Sequence, residues 1–244
     1  MKNRSLLFAA VISTLIIPAI PTLGGTISTP FVAGSMDGWA GPNSYQMTET
    51  APGSDIWTTT IGGLSPNGRY EWKVTDGTWD VSIPGPNSWL FADGAGDITI
   101  TYDGNSYSDG WSTSVDRLGL STDPGTWTAV GNWQNQIGGG DWDNANPNTA
   151  MNSLGGGIYE FSATLAPGDY LWKAVVSGSW DSISWDQRSV GTADWAFSID
   201  AINSTATFRV DSLNGVAQIL VPEPAAISLA GLGLMALLAR RRRG

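Results

Sequence analysis

Apolar residues occur in two kinds of run along this chain: long and uninterrupted at the two ends, short and alternating everywhere between. In the body, no window beyond about ten residues keeps the 3.6-residue spacing of an amphipathic helix. Ile56-Trp57-Thr58-Thr59-Thr60-Ile61, Arg69-Tyr70-Glu71-Trp72-Lys73-Val74 and Ile98-Thr99-Ile100-Thr101-Tyr102 are instead rich in β-branched and aromatic residues and read as strands. Gly62-Gly63, Pro66-Asn67-Gly68 and Asp76-Gly77 punctuate them as turns. Strand alternation places Tyr70, Trp72 and Val74 on one face and Glu71 and Lys73 on the other, which makes Trp72 a core indole. Short strands at this spacing predict antiparallel sandwiches.

The same pattern occurs twice. Leu64-Ser65-Pro66-Asn67-Gly68-Arg69-Tyr70-Glu71-Trp72-Lys73-Val74, followed by Gly77-Thr78-Trp79-Asp80, is answered by Leu165-Ala166-Pro167-Gly168-Asp169-Tyr170-Leu171-Trp172-Lys173-Ala174 and Gly178-Ser179-Trp180-Asp181. Upstream, Val32-Ala33-Gly34-Ser35 answers to Ala129-Val130-Gly131-Asn132. Downstream, Ile98 to Asp103 answers to Ala206 to Asp211. The offset grows from 97 to 108 residues, so strand order is kept while loops differ in length. By the repeat, Trp172 joins Trp72 as a core indole.

At the N-terminus, Met1-Lys2-Asn3-Arg4 precedes an apolar run from Leu6 to Ile20 broken only by Ser13, Thr14 and Pro18, the charge order of a secretory signal peptide. Cleavage is expected after Gly24. At the C-terminus, Val221-Pro222-Glu223-Pro224 leads into an apolar run over residues 225–239, closed by Arg240, Arg241, Arg242 and Arg243. Fifteen helical residues reach about 22 Å against a hydrocarbon core of about 30 Å, a marginal span. The arginines would fix its end on the cytoplasmic side.

Without these ends, the body holds 6 basic and 21 acidic residues, net −15. Such a surface repels phosphate backbones, so nucleic acid is excluded as a partner. Cysteine and histidine are absent, which removes disulfides, thiolate chemistry, Ser-His-Asp triads and His-ligated zinc. Thirteen tryptophans stand against 14% charged residues, more indole than two small cores need. The loop Gly140-Asp141-Trp142-Asp143-Asn144-Ala145-Asn146-Pro147-Asn148 clusters oxygens but lacks the calcium-loop spacing, and reads as solvated. No metal, cofactor or catalytic residue is expected.

The tail resembles the PEP-CTERM sorting signal of Gram-negative bacteria: a Val-Pro-Glu-Pro box, an apolar helix and a terminal arginine run. The resemblance implies recognition of Pro222, Glu223 and Pro224 by an exosortase in the inner membrane, followed by release of the body to the cell surface or extracellular matrix.

The second repeat is similar to the accessory β-sandwich modules of pullulanase-type amylolytic enzymes, through Val130-Gly131-Asn132-Trp133-Gln134, Gly140-Asp141-Trp142-Asp143, Thr164 to Lys173 and Ser177 to Asp181. The first is similar in turn, and Gly34-Ser35-Met36-Asp37-Gly38-Trp39 also resembles the Gly-Ser-Phe-Asn-x-Trp loop of glycogen- and starch-binding modules. In such modules glucan rings stack on indoles and hydroxyls bond to a few polar groups. The resemblance implies Trp39, Lys73, Trp79 and Asn87 as carbohydrate-binding residues in the first repeat, and Trp133, Lys173 and Trp180 in the second. Trp79 and Trp180, each just past a glycine turn, are the candidates for stacking.

The fold expected is all-β: two tandem antiparallel immunoglobulin-like β-sandwiches, flanked by an N-terminal signal helix and a C-terminal transmembrane helix. Residues 1–25 are the signal peptide, 26–111 the first sandwich, 112–125 a linker, 126–221 the second sandwich, and 222–244 the sorting tail with a transmembrane helix over 225–239. The function expected is a non-catalytic, exported and surface-sorted protein that binds or embeds in polysaccharide of α-glucan type, with exosortase and the inner membrane as transient partners. The alternative is a structural surface or matrix protein with no small-ligand site.

Overall fold

The computed structural model describes residues 26–200 and 204–221. Its first half runs through β1 (Phe31–Gly34), β2 (Tyr45–Gln46), β3 (Thr48–Glu49), β4 (Ile56–Ile61), β5 (Arg69–Thr75), β6 (Ser82–Phe91), β7 (Ile98–Asp103) and β8 (Arg117–Leu120). The second half runs through β9 (Trp127–Gly131), β10 (Asn152–Gly155), β11 (Ile158–Thr164), β12 (Gly168–Val176), β13 (Ser182–Ser184), β14 (Gln187–Ser189), β15 (Trp195–Ile199), β16 (Thr205–Asp211) and β17 (Val216–Leu220). The strands read from the sequence at 56–61, 69–74 and 98–102 are β4, β5 and β7.

These strands form four small antiparallel sheets, ordered β2-β1-β5-β6, β3-β4-β7-β8, β10-β11-β16-β17 and β14-β13-β12-β15, with β9 on the other edge of β12. The first two share one core, in which Val32, Trp72 and Val74 meet Ile61, Ile98, Ile100 and Tyr102. The other two share a second, in which Trp127, Trp172 and Ile183 meet Tyr159, Phe208 and Val210. Alternation decides which residues enter. Trp72 and Val74 are fully buried, while Glu71 and Lys73 between them are not.

The expected pair of tandem immunoglobulin-like sandwiches does not form; the four sheets close a propeller-like ring instead. On one side of the ring β6 packs against β14. There Val190 N–H donates to the Asn87 carbonyl at 2.6 Å, and Trp89 Nε1 donates to the Ser182 carbonyl at 3.1 Å. On the other side Leu120 N–H donates to the Leu213 carbonyl at 2.8 Å, and Ser112 N–H to Ala217 at 2.7 Å. Trp89 decides the correction: it belongs to a strand of the first half, yet it is buried in the core of the second, against Trp127 at 6.1 Å.

The hairpin β13–β14 is the wedge that makes this junction. Most of its residues are polar, yet Ser182, Ser184, Gln187, Arg188 and Ser189 are all buried. Arg188 is fully buried. Its guanidinium lies 5.1 Å from the Trp89 ring centroid and donates through Nη2 to the Ser212 carbonyl, and burial pushes its pKa down to about 9.

The described residues contain no α-helix. The helical turns of the described residues are three short 3-10 segments, at Ser35–Asp37, Gln134–Gln136 and Pro147–Thr149. Among the described residues no helix is long and apolar enough to cross a membrane. The signal segment 1–25, the transmembrane helix expected over 225–239 and the motif residues Pro222, Glu223, Pro224, Arg240, Arg241, Arg242 and Arg243 lie outside the described residues.

Candidate functional site

Each half builds its candidate site from the same three pieces. The first is a strand that ends on a glycine where another backbone passes too close for a side chain. A Cβ on Gly34 would lie 2.5 Å from the Glu71 carbonyl oxygen, and one on Gly131 would lie 2.2 Å from that of Leu171. The following residue ties the loop to that neighbouring strand. Glu71 N–H donates to Ser35 Oγ at 2.9 Å, and Leu171 N–H donates to Asn132 Oδ1 at 2.8 Å.

The loop then returns an indole to the same glycine. Trp39 N–H donates to the Gly34 carbonyl at 2.9 Å, and Trp142 N–H donates to the Gly131 carbonyl at 3.1 Å. Both tryptophans take left-handed backbone, with φ of 62° and 58°. Trp142 is therefore the counterpart of Trp39. The sequence assigned that place to Trp133, and this is a correction. Trp133 follows Gly131 by two residues, as Met36 follows Gly34, and like Met36 its side chain crowds the glycine. It is fully buried and stacked on Phe208 at 4.7 Å and 4°, so it offers no face to a ligand.

The second piece is the lysine of the Trp-Lys strand, and here the halves part. Lys73 donates to the Gly85 carbonyl, and burial lowers its pKa. Lys173 pairs with Asp194 at 2.8 Å. Its ammonium lies 5.7 Å from the Trp142 ring centroid and 5.9 Å from that of Trp180, within cation–π reach of both. Asp186 lies within the electrostatic reach of Lys173; burial raises its carboxyl pKa against the opposing pull of that ammonium, and one of its oxygens has no hydrogen-bond partner.

The third piece is the turn after that strand. Gly77 and Gly178 take φ of 87° and 80°, which swings the next indole off the sheet. Trp79 is 51% exposed and Trp180 is 54% exposed, against 0% for Trp72 and Trp172 in the preceding strands. The first turn is closed by Thr78 donating to Asp76, from N at 2.9 Å and Oγ1 at 2.6 Å. The second is closed by Asp181 N–H donating to Ser179 Oγ at 3.1 Å, and Asn144 Nδ2 pins it by donating to the Ser179 carbonyl at 3.0 Å. Asn144 belongs to the oxygen-rich loop, whose acids are taken up by nearby backbone: Ala145 N–H donates to Asp143 Oδ1 at 3.1 Å, and Asn135 N–H, in the preceding 3-10 turn, to Asp141 Oδ1 at 3.0 Å.

Trp39 and Trp79 thus meet, with ring centroids 6.3 Å apart and planes tilted by 49°. Trp142, Lys173 and Trp180 meet in the second half. Asn87 joins neither group. It sits on the seam between the halves, with Nδ2 donating to Glu71 at 2.9 Å. Sequence reasoning missed Trp142 as a site residue because the loop that carries it from Gly131 is six residues longer than the one from Gly34 to Trp39, although the Asp-Trp pair Asp141-Trp142 was a usable signal. It also missed Trp185, 51% exposed in the turn between β13 and β14.

Beside Trp180 lies an open cleft of about 520 Å³, lined by Arg69, Lys173, Ser179, Asp181, Ser182, Val190 and Gly191 together with the indole itself. An exposed aromatic plane, hydroxyls and ion-paired cations suit a ligand with both apolar faces and hydroxyl groups.

Two stretches of the chain match known families. Residues 126–216 match the pullulanase X25 domain. Residues 220–243 match the PEP-CTERM protein-sorting motif, which supports export and sorting to the surface. The chain is also similar to an amylopullulanase of Thermoanaerobacter thermohydrosulfuricus, 37% identical over 62 residues, covering 25% of this chain and 4% of that protein. Among solved structures it resembles pullulanase from Bacillus acidopullulyticus (14% identity, TM-score 0.30, 69% of this chain and 20% of that one). It also resembles SusF from Bacteroides thetaiotaomicron (14% identity, TM-score 0.33, 80% of this chain and 48% of that one). The X25 match contains Trp142, Lys173 and Trp180, whereas Trp39 and Trp79 lie outside it. The X25 match thus lies just before the PEP-CTERM match, and the chain spans only a small part of the amylopullulanase it matches.

Proposed function

We propose that this is a non-catalytic protein of the cell surface that binds α-glucan through exposed indoles, with Trp180 as the principal stacking residue. One observation carries the reading. In each half the strand indole, Trp72 or Trp172, is fully buried, whereas the turn indole, Trp79 or Trp180, is more than half exposed. Leaving a large apolar plane in water forfeits burial energy, and a pyranose C–H face is a partner that would recover it. The second half is the stronger site, because Lys173 lies within reach of both Trp142 and Trp180 and a cleft adjoins them. The names of the pullulanase relatives favour an α-glucan as the polymer. An exosortase acting near Pro222, Glu223 and Pro224 would release the body at the surface.

Affinity electrophoresis tests this reading. The protein should be retarded in gels containing pullulan or amylopectin, and Trp180→Ala should migrate nearer its rate in plain gel while unfolding at an unchanged midpoint. Equal mobility of the wild type with and without every α-glucan would remove the reading in favour of a purely structural surface protein.

A further inference from the structure

We propose that the cleft beside Trp180 is a composite site: a glucan stacked on that indole is also held by Arg69 of the first half. The proposal rests on the glucan reading above and adds a residue from outside the X25 match.

Arg69 opens β5, a strand of the first half, yet its side chain crosses the seam. Nε donates to both carboxylate oxygens of Asp181 at 2.9 Å, and Nη2 donates to Oδ1 at 2.6 Å. Nη1 donates to Glu71 at 3.2 Å. The guanidinium is therefore a fixed planar fork, held protonated first by Asp181. Asp181 is almost buried while the Arg69 side chain is 37% exposed, so it is the arginine that faces the ligand space. These bonds engage three of the five guanidinium N–H groups and leave two for acceptors in the cleft.

The chain of contacts runs from one half into the other. Asn87 bonds to Glu71, Glu71 to Arg69 and Arg69 to Asp181, which adjoins Trp180 in the turn. On the far wall are Val190, 37% exposed, and Gly191. A sugar packed on the indole could accept from Arg69 and exchange hydrogen bonds with Ser179 and Ser182.

Charge fixes the ligand class. Arg69 is balanced by Asp181 and Glu71, and Lys173 by Asp194, while the surrounding body is strongly acidic. A uronate or sulfate would meet carboxylates with no cation free to pair. A neutral polyol meets a row of oriented donors and acceptors and carries no charge to desolvate.

The test is calorimetric titration of the purified full-length protein with maltotriose, maltoheptaose and polygalacturonate, for the wild type, Arg69→Met and Arg69→Lys. The wild type should bind maltoheptaose more tightly than maltotriose and bind polygalacturonate least. Arg69→Met should weaken maltoheptaose about tenfold, the scale of a charged hydrogen bond, and shrink its advantage over maltotriose. That shrinkage is not expected if Arg69 merely braces the seam. Arg69→Lys keeps the charge without the fork and should fall between, and it serves if the methionine variant does not fold. If Arg69 variants keep wild-type affinity while Trp180→Ala loses it, the site belongs to the second half alone and the composite site is overturned, with the glucan reading intact. Preference for polygalacturonate overturns the neutral-ligand assignment. A wild type that binds neither maltodextrin overturns the glucan reading and this inference together.

Discussion

The two halves use one parts list to different effect. Gly34 and Gly131 admit the neighbouring backbone, Trp39 and Trp142 return to them, and Gly77 and Gly178 turn Trp79 and Trp180 outward. In the first half the two indoles meet at a tilt and Lys73 bonds to the Gly85 carbonyl. In the second, Lys173 lies within reach of both indoles and a cleft opens beside Trp180. The cause is visible in the strands. β6 is one strand of 10 residues that pairs with β5 on both sides of a register shift between Trp72 and Val74, whereas β12 meets the hairpin β13–β14 and then the separate strand β15. That hairpin and the segment after it bring Val190 and Gly191 to the cleft and Asp194 to Lys173. The repeat keeps the scaffold, and the inserted hairpin differentiates the sites.

The largest effect that would break this comparison concerns Trp89, the first-half residue in the second-half core. Trp89→Ala should cost about 3–5 kcal/mol, the range for a core aromatic, and urea unfolding of the wild type should show one transition rather than two. Two separate transitions, with the variant shifting only one, would show the halves to be independent. Next comes Trp180→Ala, which should cost more than about 1 kcal/mol of glucan affinity, as for an interface anchor, with little loss of stability. Trp79→Ala should cost less, about 0.5 kcal/mol of affinity, the low end for an aromatic contact, because no lysine sits at its ring. An equal or larger loss, measured in the same titration, would move the main site to the first half.

The smallest effect is on pH. Arg117 donates to both oxygens of Asp109, at 2.8 and 2.7 Å, and these hydrogen bonds hold the Asp109 carboxyl below its ordinary 3.8. Because the folded state binds this proton less readily than the unfolded one, the contribution is present above pH 3.8 and lost as pH falls through the depressed value. The pair is partly exposed, so the contribution is small. Thermal unfolding of Asp109→Asn should show a weaker fall in midpoint between pH 5 and pH 2, which is read against the wild type across that range.

Much of this was legible in the chain. β-Branched and aromatic runs between glycine turns identified β4, β5 and β7, and period-two alternation separated Trp72 from Lys73, because a half-buried strand must alternate. The glycine before each turn indole marked Trp79 and Trp180 as leaving the sheet. Ring closure was not legible, because Ser182, Ser184, Gln187, Arg188 and Ser189 read as surface residues and are buried. Polar side chains are buried here by the wedge between two halves, a tertiary effect with no local signature. Trp133 was named from the resemblance because it lies in the early loop after Gly131, while the loop's extra length carries the counterpart of Trp39 on to Trp142. Nothing in the sequence singled out Trp89, because only the partner sheet decides which core receives it.

The most direct test of the account is a pair of calorimetric titrations with maltoheptaose, wild type against Trp180→Ala, with the unfolding midpoint of each recorded alongside. The account predicts saturable binding by the wild type, at least tenfold weaker binding by the variant, and midpoints that agree. Binding unchanged by the substitution, or a variant that has lost its fold rather than its ligand, would contradict it.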